Sequence, residues 1–346
     1  MIVGIIAFNN IKYCPYISPY THLLDKMNIK YNIIYFDRDG INEKNEKLIP
    51  ISWNKSKRKI QNFISFSRIA RNIIVKNKYD KLIVLTTVPG VLILPVLKRN
   101  YNRNYVIDIR DYTLEKYFVF RYLEKRLIKN AAVRVISAPG FKRFLPEANY
   151  VLCHNTTYDF TKKKASFKTE DPILIGYVGT ITYANQCKLL IDLVKQDSRF
   201  CFYFFGNDIT GNQITQAIID ANSDRIKYFG AYDPNEKDSI IESVDILFNA
   251  YGNDSEKLLY AISNKFYDSI YYMKPVITSP NTEMSTLLDG FSYDIDKDTE
   301  SLDGLYSWYH NIDSEKMKTL ISKWSERITK EQSEFDVAIK TEFLCN

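Results

Sequence analysis

Short apolar runs alternate along this chain with longer segments whose apolar positions recur at helical spacing. The runs at 2–8, 31–36, 82–86, 105–109, 133–136 and 150–153 read as buried strands. Those at 20–27, 58–75 and 114–128 read as helices, the second carrying Ile60, Phe63, Ile64, Ile69 and Ile73 near a helical repeat. The stretch 82–97 is uncharged and largely apolar, but Pro89-Gly90 and Pro95 interrupt it. It is shorter than the roughly 20 residues of a membrane-spanning helix, so a strand, a turn and a short helix are expected there. The rhythm stops at 156–172, a polar aperiodic segment that reads as a linker. It restarts with strands expected at 173–178, 200–205, 226–229, 246–250 and 276–278, helices at 184–194 and 235–243, and one or two helices from 314 to about 343.

Strand–helix alternation in both halves predicts an α/β chain of two doubly wound Rossmann-like domains with parallel sheets. The first is expected over 1–160, rejoined by C-terminal helices at about 325–346, and the second over 170–324. Ligands of such sheets bind beyond the carboxyl ends of the strands. That directs attention to the loops at Phe8-Asn9, Thr86-Thr87, Arg110-Asp111, His154-Asn155, Gly179-Thr180, Gly206-Asn207, Gly230-Ala231 and Tyr251-Gly252.

With 346 residues, 45% of them hydrophobic, the chain has core enough for two domains. Its net charge of +6 conceals a split: 27 Lys and Arg against 11 Asp and Glu in 1–150, and 20 against 30 in 151–346. Such asymmetry predicts separate domains with different partners. Basic residues are densest at 55–81, where nine cations face Asp80 alone. An anionic membrane surface, nucleic acid and a solvated face are the three readings of that stretch. No zinc pattern, RNP motif or helix-turn-helix spacing is present, so no nucleic-acid partner is expected. On the membrane reading, Trp53, Phe63 and Phe66 are expected to enter the headgroups beside the charges. Five scattered cysteines without a Cys-x-x-Cys, and no charged leader, suit a cytoplasmic protein, at most peripheral on the inner face of a membrane. The three histidines are dispersed, and no metal or other cofactor is expected.

The chemistry concentrates in 263–277. Ser263 or Asn264 can cap a short helix, Lys274-Pro275 closes it, and a buried strand follows. The free N–H groups of the helix start and Lys265 can hold a diphosphate. Asp268, three residues on and on the same face, can accept from two ribose hydroxyls. The plainer alternative is a capped amphipathic helix with a surface lysine. At 176–183, Gly179 allows close backbone approach and Thr180 offers a hydroxyl, unless Gly179 is simply a turn glycine. At the end of the strand 105–109, alternation sends Asp108 and Arg110 to one side and Asp111 to the other. Asp111 can orient or deprotonate a hydroxyl. Arg110 either pairs with a phosphate or closes the strand in a buried ion pair with Asp108. Lys12 and Tyr13 lie in the first loop.

The segment 263–277 resembles the donor-binding helix of retaining, family-four-like glycosyltransferases of GT-B architecture. There, Pro-Asn-Lys-x-x-Glu, a short helix and Gly-x-Pro-Val-Ile grip a nucleotide-sugar. Here Ser263 replaces the proline, Asp268 the glutamate, and Lys274 precedes Pro275. Gly179-Thr180 resembles the turn that opens the donor domain, though many relatives carry an arginine at Thr180. Gly230-Ala231-Tyr232 resembles a loop that contacts the base. Asp108-Ile109-Arg110-Asp111 resembles the Asp-x-Arg-Asp of capsule and O-antigen glycosyltransferases, and His154-Asn155 an interdomain turn. The family's paired acids are incomplete: Tyr260 stands eight residues before Asp268, and Glu256 falls four residues too early.

The resemblance implies parallel-sheet domains facing across a cleft. It implies a UDP- or GDP-sugar donor held by Gly179, Thr180, Ala231, Tyr232, Asn264, Lys265 and Asp268. Asp111 would be catalytic, with Arg110, Lys12 and Tyr13 beside a glycan or polyprenyl-diphosphate-linked acceptor. The setting it implies is bacterial surface polysaccharide synthesis, by a reaction needing no metal. A sugar-nucleotide epimerase of the same fold and a non-catalytic nucleotide-sugar-binding partner subunit are the rival readings.

Overall fold

Parallel β-strands form two separate sheets in the computed structural model, which describes residues 1–43, 45–112, 114–156, 158–160, 171–288 and 290–345. Most of the expected linker, 161–170, lies outside the described residues. The first sheet has seven strands: β1 (Ile2–Ala7), β2 (Lys30–Asp37), β3 (Leu48–Ser52), β4 (Lys81–Leu85), β5 (Tyr105–Ile109), β6 (Val133–Ile136) and β7 (Val151–Leu152). The second has six: β8 (Ile173–Val178), β9 (Phe200–Phe205), β10 (Ile226–Gly230), β11 (Ile246–Phe248), β12 (Val276–Thr278) and β13 (Ser292–Asp294). Their orders are β3-β2-β1-β4-β5-β6-β7 and β10-β9-β8-β11-β12-β13. Counted from its own first strand, each sheet begins 3-2-1-4-5-6, the doubly wound order. The order reverses between β1 and β4 and again between β8 and β11, and a crevice for ligands opens at such a reversal.

The chain divides into two compact units, Met1–Asn155 with Lys330–Asn346, and Thr156–Thr329. Each sheet is covered by helices, so its strands read as continuous apolar runs. In the first unit Val3, Ile5, Ile33 and Ile83 share a core with Phe335 and Phe343. The long helix Ser314–Ala338 contributes to both cores: Met317, Ile321, Trp324 and Ile328 to the second, Phe335 and Ala338 to the first.

Three expectations change. Helix Thr87–Asn100 follows β4 without the anticipated turn, because Pro89 falls in its first turn, where an N–H has no intrahelical partner to lose. Strands β3 and β13 and helix Gln213–Ala221 were not anticipated; β3 contains Pro50, which a sheet edge tolerates. Of the rings expected at a membrane, Phe66 is core, and Phe63 and Trp53 are half-buried in ring contacts. Phe66 is fully buried 4.9 Å from Phe8 and from Phe36, Phe63 packs on Phe8 at 5.0 Å, and Trp53 on Phe36 at 5.1 Å. Helix Lys59–Asn77 presents Ile60, Ile64 and Val75 to solvent instead. Among the described residues, no helix is long and apolar enough to cross a membrane.

Large exposed aromatics occur elsewhere in this unit, around helix Phe118–Lys129: Tyr117, Phe118 and Tyr122. The same helix buries Glu124. Burial pushes this carboxyl up to about 8, and the charge and hydrogen bonding of neighbouring Glu115 add to the shift. A carboxyl raised on folding binds its proton more tightly in the folded state. Its destabilising effect is therefore absent below the unfolded pKa and grows as pH rises from about 4.5 towards about 8. The slope is at most about 1.4 kcal/mol per pH unit. Denaturant unfolding should show the wild type losing stability relative to Glu124→Gln between mildly acidic and mildly alkaline pH.

Candidate functional site

In the second unit, three adjacent strands end in glycines that are laced together. Gly179 N–H donates to the Phe205 carbonyl at 2.8 Å, and Gly206 N–H to the Gly230 carbonyl at 2.6 Å. Gly206, at φ +143°, has no room for a side chain, since a Cβ would run into the Gly179 carbonyl. Gly179 itself, at φ +121°, keeps the space beyond β8 open. On the other side of the reversal, β11 leads into Asn249, Ala250 and Tyr251. Asn249 Oδ1 accepts from the Ser263 hydroxyl at 2.6 Å, and Ser263 Oγ in turn accepts from the Lys265 N–H at 3.2 Å. Ser263 is thus the N-cap of helix Asn264–Tyr272, which ends at Met273 in the left-handed conformation, one residue before Lys274.

Lys265 points into this space. Its side chain is buried, 6% exposed, and Nζ donates to the Tyr251 hydroxyl at 2.6 Å. Nζ lies 4.8 Å from the ring centre of Tyr177 and 5.3 Å from that of Tyr251. It is 3.7 Å from the point where a Gly179 side chain would begin. Among the described residues, no carboxylate pairs with it. Burial pushes both phenols, Tyr177 and Tyr251, well up, so they remain neutral neighbours of the ammonium. Tyr183 stacks on Tyr251 at 4.2 Å and closes the wall. A buried ammonium faced, among the described residues, by hydroxyls, rings and an open backbone is suited to an anion.

Asp268, 2% exposed, is not the open carboxylate expected from the sequence. Its Oδ1 accepts from the Tyr158 hydroxyl at 2.6 Å and from Lys237 Nζ at 2.7 Å, and Lys237 also donates to Tyr158 at 3.1 Å. Only Oδ2 lacks a hydrogen bond among the described residues. Tyr232 is half-buried near this cluster; burial raises its pKa first, and the Asp268 charge second. Thr180, Ala231 and Asn264 are exposed, and the Thr180 carbonyl accepts from Tyr177 at 3.1 Å. Glu256 is exposed in the first turn of helix Glu256–Tyr260. Gly179, Lys265, the Ser263 cap and Tyr251, which lies in one of the strand-end loops expected to matter, are therefore brought together, while Tyr158 and Lys237 are additions that no local sequence signal marked.

In the first unit, the two readings of Arg110 resolve in favour of the ion pair. Arg110 Nη2 donates to Asp108 Oδ2 at 2.7 Å, Nε stands 2.6 Å from Oδ1 off the line of a hydrogen bond, and Nη1 donates to the Cys153 carbonyl at 2.8 Å. Tyr20 donates its hydroxyl to Asp108 at 2.8 Å. Arg110 is buried and engaged, so the expected service to an acceptor phosphate does not fit it. Asp111 is exposed just beyond β5. Tyr13 is exposed, and Lys12 forms an exposed ion pair with Asp39 at 2.7 Å.

No protein-family model matches the chain, and no curated protein matches it. Solved structures do. The sucrose-phosphate synthase of Thermosynechococcus elongatus aligns over 97% of both chains with a TM-score of 0.70 at 13% identity. The lipopolysaccharide outer core galactosyltransferase WaaB, in its apo form, aligns over 99% of this chain and 100% of its own, with a TM-score of 0.66 at 12% identity. HepE of Anabaena, solved in complex with UDP, aligns over 99% of this chain and 100% of its own, with a TM-score of 0.70 at 11% identity. The chain has the GT-B fold. At such identities the likeness concerns the GT-B fold and not the activity, which has to be read from the site.

Within this GT-B chain, the Lys237–Asp268 pair yields a direct test. Lys237→Met strands a buried carboxylate and should destabilise the protein by about 1–3 kcal/mol. Lys237→Met with Asp268→Asn removes both charges and should recover most of that loss. Denaturant unfolding of the two single variants and the double variant measures the coupling.

Proposed function

We propose that this protein is a glycosyltransferase that binds a nucleotide-sugar in the Thr156–Thr329 unit and transfers the sugar to a glycan or lipid-linked glycan. The observation that carries the proposal is Lys265: a buried ammonium without a carboxylate partner among the described residues, at the reversal of strand order and beside Gly179. A diphosphate is the ligand that meets this arrangement, since it brings the missing negative charge to the ammonium and the helix start. Negative charge grows on the leaving diphosphate during transfer, so a fixed cation there stabilises the transition state more than the ground state. UDP bound to HepE, a structure of the same fold, supports a nucleoside diphosphate as the donor's leaving portion. Asp268 Oδ2 is placed to accept from a donor hydroxyl, and Tyr232, with Ala231, to meet the base. Thr180 and Asn264 flank the diphosphate.

On the first unit, Asp111 is the group proposed to orient the acceptor hydroxyl, with Tyr13 and Lys12 near it in role rather than in any measured contact. WaaB acts in the lipopolysaccharide outer core, which supports surface polysaccharide synthesis at the cytoplasmic face of a membrane as the setting. Retention of configuration is the outcome that the donor-helix resemblance favours.

Calorimetric titration with UDP, GDP and UDP- or GDP-sugars tests the donor site. Lys265→Ala removes a charge-assisted contact worth about 1.5–3 kcal/mol, so donor affinity should fall tenfold or more. Unchanged affinity in both Lys265→Ala and Asp268→Ala overturns the assignment. Asp111→Asn should slow nucleotide release in the presence of acceptor while leaving donor affinity near the wild-type value. Conversion of the nucleotide-sugar without any acceptor would instead identify an epimerase, and binding without turnover a partner subunit.

A further inference from the structure

We propose that a cavity beside helix Phe118–Lys129 in the first unit binds a phosphate group carried on an apolar chain. The inference supplies an acceptor-side site for the transfer proposed above; it rests on that reading for its purpose, but not for its binding chemistry.

The cavity has a volume of about 560 Å³, and Arg121, Lys125 and Arg143 bring three cations to its lining. Phe118 and Tyr122 form its aromatic side, and residues 144–146 add an apolar wall. Glu124 reaches it from the interior. This carboxyl is only 2% exposed; Glu115 lies beside it, and its Oε1 has no hydrogen-bond partner among the described residues. Buried polar atoms are nearly always satisfied, so an unmet one on a cavity wall marks where a ligand atom completes the bonding. A charged carboxylate there would repel an anion. Burial, reinforced by Glu115, instead favours the protonated acid, which can donate to a phosphate oxygen. Cations, one neutral acid and a half-open cavity define the phosphate end of the ligand.

The rim defines its other end. Phe118 is 82% exposed, and Tyr117, Val119 and Tyr122 beside it are also exposed. Contiguous apolar exposure of this kind marks an interaction surface. Two of the four line the cavity itself, so a chain leaving the phosphate passes directly onto these rings. The guanidinium of Arg126 lies 4.3 Å from the Tyr122 ring centre, holding one ring at the mouth. The basic helix Lys59–Asn77 differs: its own rings, Phe63 and Phe66, are turned into packing.

The probes are dodecyl phosphate below its micellar concentration, inorganic phosphate, dodecyl maltoside, and vesicles of phosphatidylglycerol in phosphatidylcholine. Dodecyl phosphate should bind at least about tenfold more tightly than inorganic phosphate, and neutral dodecyl maltoside should not displace it. Phe118→Ser should abolish the advantage of the chain. Arg121→Ala with Lys125→Ala should weaken dodecyl phosphate about tenfold or more. All three side chains are exposed, so the variants keep the fold. Vesicle binding lost in the same variants assigns the phosphate to a bilayer headgroup; binding of dodecyl phosphate without vesicle binding assigns it to a single amphiphile. Either result supports the site. No binding of dodecyl phosphate or vesicles, equal affinity for inorganic phosphate, or binding that survives both variants overturns it. UDP affinity should be unchanged in these variants, and dodecyl phosphate affinity unchanged in Lys265→Ala, so this site and the donor site fail separately.

Discussion

A buried ammonium, Lys265, with no counter-charge among the described residues is the constraint on which the second unit depends. Removing an ion from water is unfavourable by several kcal/mol even after relaxation. At Lys265 the Tyr251 hydroxyl and the faces of Tyr177 and Tyr251 offset part of that. The bare backbone of Gly179 and the clasp with Gly206 prevent any side chain from filling the space in front of it. The Ser263–Asn249 hydrogen bond fixes the helix start to the end of β11, so the ammonium cannot relax outward by unwinding the first turn. What remains unmet is negative charge, and a ligand is the natural source of it.

The second cation of the region explains why that charge stays unmet. Asp268 is on the same helix as Lys265 and three residues away, a spacing at which oppositely charged side chains commonly pair. Instead its Oδ1 is held by Lys237 and Tyr158. Lys237 therefore satisfies Asp268 from another helix and leaves Lys265 without a carboxylate partner among the described residues. This division of partners keeps Lys265 and Asp268 from forming one internal salt bridge.

The parts legible in the sequence were those encoded locally. Parallel strands covered on both faces give unbroken apolar runs, so β8, β9 and β12 were readable to the residue, and the glycines that close β8, β9 and β10 followed. The Ser263 cap and Lys265 lay within one short segment. What was not legible depended on pairing at a distance. Lys237 acquires meaning only when the fold places it beside the helix Asn264–Tyr272, and Tyr251, legible as part of a strand-end loop, gains its partner Lys265 only there. The edge strands β3 and β13 were hidden because half-buried edges carry mixed residues, Pro50 in one and Asp294 in the other. Phe63 and Phe66 lay beside basic residues, which did not reveal that Phe8, just after β1, would pack on Phe63 and Phe36 of β2 on Phe66.

Burial alone does not distinguish a ligand site from a structural joint, and Arg110 shows why. It is as buried as Lys265, yet its guanidinium is matched by both oxygens of Asp108 and by the Cys153 carbonyl, while Tyr20 completes Asp108. Those contacts tie the end of β5 to the segment following β7 and leave no charge outstanding. Replacing such a pair with apolar groups of similar shape often changes stability little, whereas removing one member exposes the other's uncompensated charge. Lys265 already stands in that second condition without any substitution. An unmet buried charge is retained against stability where something else completes it, as proposed for Lys265; Glu124, kept neutral by burial, presents an unmet oxygen rather than an unmet charge. An unsatisfied atom does not separate the two either, since Arg110 Nε and Asp108 Oδ1 also lack hydrogen bonds among the described residues; the outstanding charge at Lys265 does.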